Sequence, residues 1–176
     1  MPNHAPGFVS RPDYRVDLLP ENRHVKVVFG GVTIADSSAA LRVEETGHGP
    51  VHYLPEKDVR LDLMRATEHH TRCPYKGEAS YWTIEVPAGE GSLRRSENAV
   101  WAYPTPYDEV SGLAGYYAFY TTRVDSIALK ASILARSRRA ASIRPRIRSP
   151  ARPGQSCSRG RKALSATAMS ADLSRS

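Results

Sequence analysis

Cys73 follows His69 and His70 by four and three residues and precedes Lys76 by three, within the stretch Thr71-Arg72-Cys73-Pro74-Tyr75-Lys76-Gly77. An imidazole beside a thiol lowers its pKa and makes it nucleophilic, so Cys73 is a candidate catalytic residue. Side chains three or four apart meet only on a helix, and Pro74 disfavours helical backbone at Cys73. The alternative is a small apolar cysteine entering a turn. Lys76-Gly77 lacks the rest of a phosphate loop, G-x-x-x-x-G-K-[ST], and Pro74-Tyr75-Lys76-Gly77 suits a four-residue turn with glycine last. A lysine on such a turn is a candidate for holding an anionic group of a ligand.

Around Cys73 neither C-x-x-C nor H-x-x-x-H occurs, and Cys157 lies far off in unlike surroundings. No metal site, disulfide or cofactor is therefore expected. The carboxylates form one more constellation. Asp58 and Asp62 flank Arg60, and Glu44-Glu45 stand just before Gly47-His48-Gly49, which makes Glu45 and His48 candidate general bases. Nucleotidyl transfer needs carboxylates converging on Mg²⁺, often D-x-D after Gly-Ser, but Gly91-Ser92 is followed here by Leu93-Arg94-Arg95. Solvated surface carboxylates are the alternative.

To position these groups the chain offers strands. "HVKVVFGGVTIADS" carries β-branched residues on both sides of Gly30-Gly31, the signature of a tight hairpin. Further strands are predicted at 41–45, 51–54, 81–86, 98–103 and 116–120, separated by Gly- and Pro-rich turns. In "YWTIEV" Tyr81, Thr83 and Glu85 alternate with Trp82, Ile84 and Val86. "EKDVRLDLM" predicts a helical turn before a strand, and "YDEVSGLAGY" a short helix. No alternation of strands with long helices suggests a parallel sheet. The expected fold is mainly β: a small antiparallel β-sandwich or curled sheet over residues 11–125, with minor helices and a flexible N-terminus at 1–10.

Charge and aromatics mark where that domain should end. Residues 1–125 hold 13 Lys and Arg against 17 Asp and Glu, whereas 126–176 hold 12 against 1, and no Phe, Tyr or Trp follows Tyr120. Val124, Ile127, Ala128, Ala131, Leu134 and Ala135 recur at helical spacing, which predicts a short amphipathic helix over 126–141. The Arg/Ser/Pro-rich residues 142–176 are expected to be disordered and to give weak, charge-driven nucleic-acid association. The chain lacks a transmembrane-length apolar run and a basic-apolar leader, so a cytoplasmic protein without a membrane span is expected.

Several motifs together carry a resemblance. Gly30, Gly31, Ile34, Ala35, Asp36 and Ser37 fit G-G-x-x-[IV]-A-D-[ST]; Glu45-Thr46 fits E-T; Tyr53-Leu54-Pro55 fits Y-[FL]-P; and Cys73-Pro74-Tyr75-Lys76-Gly77 fits C-P-[YF]-K-G. In this order they resemble the domain-of-unknown-function family numbered 427, sometimes labelled nucleotidyltransferase-like. The resemblance implies an all-β protein grouped with the β-tent folds, some of whose relatives bind zinc or small ligands in an aromatic-lined cleft. The paired cysteines of the zinc-bearing relatives are missing, so the metal does not carry over. It is expected to end at Asp125, where family members continue with an aromatic and acidic stretch and this chain has Ser126-Ile127-Ala128-Leu129-Lys130.

The expected site is then a cleft beside the Cys73–Lys76 turn, with Tyr53, Tyr81, Trp82 and Trp101 as walls and Lys76 on an anionic ligand. In an enzymatic version Glu45 or His48 acts as base, and Cys73 is structural or a nucleophile. In the alternative, the domain is a non-catalytic protein-interaction module whose aromatics form core and interface.

Overall fold

The hairpin expected at Gly30-Gly31 joins β2 (Arg23–Phe29) to β3 (Val32–Ser37), with both glycines at positive φ, +58° and +75°. In the computed structural model, which describes residues 2–131, nine further elements accompany them. These are α1 (Pro6–Ser10), β1 (Val16–Pro20), β4 (Leu41–Glu45), β5 (Val51–Pro55), β6 (Met64–Cys73), β7 (Gly77–Gly89), β8 (Ser92–Ala102), β9 (Tyr116–Phe119) and β10 (Ser126–Ala131). Short 3₁₀ turns occupy Glu56–Asp58, Leu61–Leu63 and Asp108–Leu113, the first two before a strand as expected and the third at the predicted short helix. The protein is mainly β and antiparallel, as its alternating sequence indicates.

The strands form two sheets. Seven run in the order β1-β4-β5-β9-β8-β7-β6 and curl into a half-barrel, and three run β10-β2-β3. One face of the large sheet packs on the small one. Val25 and Val27 of β2 and Ile34 of β3 meet Leu54, Ile84 and Val100 there, all essentially inaccessible to water. Each such side chain contributes roughly 1.5–3 kcal/mol of transfer free energy. Because side chains alternate across a strand, the neighbours Tyr53, Tyr81 and Trp101 face the other way. There Tyr53 and Tyr81 join a second core, with Trp101 against it, closed by Val110 and Leu113 of the 3₁₀ segment.

Three expectations require correction. The helix predicted over 126–141 is, as far as Ala131, the strand β10, paired to β2 from Ser126↔Val28 to Ala131↔Arg23. A short helix is marginal alone, whereas β2 offers an open edge and Ile127 and Leu129 both gain the inter-sheet core. The β domain therefore extends beyond residue 125. Residues 132–141 of that helix and the tail at 142–176 lie outside the described residues. Of the N-terminus, expected to be flexible over 1–10, residues 3–7 are bonded to the domain: the Asn3 amide donates to Asp108 Oδ2 (2.7 Å), the Ala5 amide to Glu109 Oε2 (3.0 Å) and the Gly7 amide to the Pro74 carbonyl (2.9 Å). Among the described residues no helix is long and apolar enough to cross a membrane.

Candidate functional site

The turn after Cys73 closes the β6–β7 hairpin, with Cys73 paired to Gly77. Gly77 has φ +111°, and a Cβ there would stand 3.2 Å from the Thr105 carbonyl oxygen. Glycine thus lets this turn press against the 103–107 segment, whose Tyr107 amide donates to the Lys76 carbonyl (3.2 Å). Tyr75 is half-buried beside Phe8 and stacks on Tyr14, ring centroids 3.8 Å apart and nearly parallel. Lys76 turns inward and is only 7 % exposed.

There its ammonium donates to Glu45 Oε2, at the end of β4, while the Tyr14 hydroxyl donates to Glu45 Oε1 (2.8 Å). Burial pushes the Glu45 carboxyl up, but the bonds from Lys76 and Tyr14, with the charges of Lys76 and His48, outweigh it and hold the group below its ordinary range. Burial first, and then donation to Glu45, push the Tyr14 hydroxyl up. Glu45 is therefore a carboxylate at neutral pH, and a carboxylate so stabilised is a weak proton acceptor.

Above this pair lies a cavity of about 200 Å³. Its walls are Tyr53 of β5, Tyr81 of β7, and Trp101 of β8, with Tyr103 and Tyr120; His48 and Gly49 form the rim. Strand register brings the walls together: Tyr81 sits opposite Trp101, and Ala118 of β9 lies opposite both Tyr53 and Trp101. Across that alanine the Trp101 indole donates to the Tyr53 hydroxyl (3.1 Å), and the rings meet edge to face at 82°. The Tyr120 ring lies 4.4 Å from Trp101, and the Tyr81 hydroxyl bonds Thr71 Oγ1 (2.7 Å). Burial pushes the Tyr53 and Tyr103 hydroxyls up, so both stay protonated as donors.

Glu45, His48, Lys76, Tyr53, Tyr81 and Trp101, picked out from sequence, all border this one cavity. Trp82 does not. One position along β7 from Tyr81, it points to the opposite face, packs on the inter-sheet core and meets Tyr117 edge to face (5.2 Å). Cys73 packs, half-buried, against the second core without bordering the cavity. On an extended strand its neighbours His70 and His69 lie roughly 10 and 13 Å along the chain, so no Cys–His dyad forms. His69 instead lies against Tyr81 (4.5 Å), and His70 Nδ1 is 3.4 Å from Ser80 Oγ.

The other carboxylates do not converge either. Asp58 accepts from the Ser37 hydroxyl (2.7 Å), and Asp62 accepts a two-pronged bond from Arg60. Among the described residues no three His, Cys, Asp or Glu side chains gather as metal ligands. Sequence reading missed Tyr103, Tyr120 and Tyr14. The first shares the parity of Trp101 two residues earlier and was there to be found; Tyr14 precedes any strand signal.

A search of curated proteins gives no match. The match to a family pattern spans residues 17–130, so it runs past Asp125 and takes in nearly all of β10. On this match the chain belongs to the family described as Domain of unknown function (DUF427).

Proposed function

We propose that the protein binds a small polar ligand in the aromatic cleft, with the Lys76–Glu45 pair as the polar end of the site. The observation that carries this reading is a nearly buried ion pair at the base of an aromatic cavity. Such a pair loses hydration worth several kcal/mol per ion and adds little to stability, so a ligand-facing role is the better account of it. One ammonium proton is used on Glu45; the others, and the remaining carboxylate lone pairs, can meet a ligand.

Because Lys76 is already neutralised, an anion placed there would face the Glu45 carboxylate. The favoured head is a neutral group with donor and acceptor together, such as a carboxamide. Size narrows the ligand further. The cavity, about 200 Å³, exceeds the about 150 Å³ that accommodates benzene but falls below the about 300 Å³ at which drug-sized pockets begin. It suits a single ring or a group of that size and not a nucleotide with its phosphates. With Glu45 a weak base and Cys73 without an imidazole, binding is better supported than catalysis. The positive charge after Ser126 supports a separate, salt-labile association with polyanions.

The test is ligand-observed NMR with matched single-ring amides, carboxylic acids and amines, of which benzamide, benzoate and benzylamine are one set. The reading expects saturation transfer to benzamide above the other two, lost in Lys76→Met. No transfer to any compound, or transfer unchanged in Lys76→Met, contradicts it.

A further inference from the structure

A second cavity of about 530 Å³ adjoins the first. The two share Gly49, Val51, Trp101 and Tyr120 in their walls, so they adjoin at those side chains. Their chemistry differs. The cleft ends on Lys76 and Glu45, whereas the second space ends on Phe119, Ile127 and Leu129. Val51 and Trp101 belong to the cleft side of the large sheet; Phe119, Ile127 and Leu129 belong to the inter-sheet core. The second cavity, or groove, thus borders residues of both cores, and its Ile127 and Leu129 are only half-buried.

We infer that cleft and groove together hold one amphiphilic molecule: a compact amide-type head on Lys76 and Glu45, and an unbranched apolar tail past Trp101 and Tyr120 onto Ile127 and Leu129. This rests on the cleft being a ligand site, and it adds the tail. A single occupant is favoured by adjacency, because four residues wall both the polar cavity and the apolar one. A rigid single-ring ligand would fill the cleft and leave the groove wet. A flexible chain removes apolar surface from water on both sides, each buried methylene improving affinity about fourfold.

Calorimetric titration of the full-length protein with primary amides from butanamide to octanamide separates the two readings. The inference expects the dissociation constant to fall roughly three- to fourfold per added methylene until the groove is filled. Leu129→Asp should flatten that series while leaving butanamide affinity within twofold. Since Leu129 touches the core, Thr121→Trp provides a second block: Thr121 is exposed on the groove wall, and a large ring there should give the same flattening without disturbing the core. Binding of butanamide with no gain from chain length overturns the tail and leaves the cleft reading standing, as does a length dependence unchanged in both variants. Failure of every amide to bind overturns both.

Discussion

At the residue scale the account turns on two buried carboxylates with different partners. Glu45 is held by Lys76 and Tyr14, and removing the cation leaves a largely buried carboxylate without its counter-charge. Lys76→Met should therefore cost about 3 kcal/mol in urea unfolding, and Glu45→Gln added to it should restore most of that loss. Equal costs for the single and double variants would mean that the pair is not coupled. Glu21, just beyond β1, accepts a two-pronged bond from Arg23 and faces His52 Nε2 at 2.9 Å. The Arg23 hydrogen bond lowers its pKa most and burial opposes it; with further help from the Arg23 amide and His52, the group falls from 4.5 to about 2. A carboxyl lowered on folding adds stability that is complete above its unfolded value and is lost as pH falls through its folded value. The Glu21 contribution should thus disappear between about pH 5 and pH 2. It amounts to on the order of 2 kcal/mol once the partial exposure of Arg23 is allowed for. Unfolding of Glu21→Gln followed from pH 7 to pH 2 should show the wild-type advantage shrinking to nothing over that window.

At the scale of elements, what the sequence revealed depended on whether a strand has two unlike faces. The stretch from His24 to Ser37 was legible because β-branched residues flank a glycine pair, and β7 was legible because it alternates. β6 was not: from Arg65 to Arg72 nearly every side chain is exposed, as suits the outer strand of a sheet, and no alternation survives. β10 was misread because Ile127, Ala128 and Ala131 fit a helix as well as Ile127 and Leu129 fit a strand. The strand makes its own prediction: Ile127→Ala and Leu129→Ala should each cost about 1–2 kcal/mol, and exposed Lys130→Ala less than about 0.5. On a helix positions 127 and 129 point to different sides, so a cost at only one of them would restore the helical reading. The Gly30-Gly31 hairpin separates strain from crowding. Gly31→Ala, with open space at its Cβ, should cost only the about 1–2 kcal/mol of left-handed backbone, while Gly30→Ala, whose Cβ would come 2.6 Å from a Val86 methyl, should cost clearly more.

At the scale of the molecule, the large sheet divides its aromatics between two tasks, and a single step in register decides which. Tyr81 and Trp82 are adjacent, yet one walls the cleft and the other packs the core. The membership of the cleft was legible because a turn motif, a strand end and three aromatics shared one neighbourhood of expectation. The exclusion of Trp82 needed only the parity of β7 relative to β8, which pairing fixes and composition does not. The neutralisation of Lys76 was not legible, because Glu45 lies 31 residues away and the bond depends on β4 and the β6–β7 turn meeting. The most direct test of the cleft as the binding site is a two-dimensional ¹H–¹⁵N spectrum of the full-length protein titrated with benzamide. The account predicts saturable shifts at the Trp101 indole N–H and at the amides of Glu45, Lys76 and Tyr53, with the Trp82 indole unmoved. Shifts centred on the Trp82 indole or on the amides of Lys57 and Arg60, or no saturable shift anywhere, would contradict it.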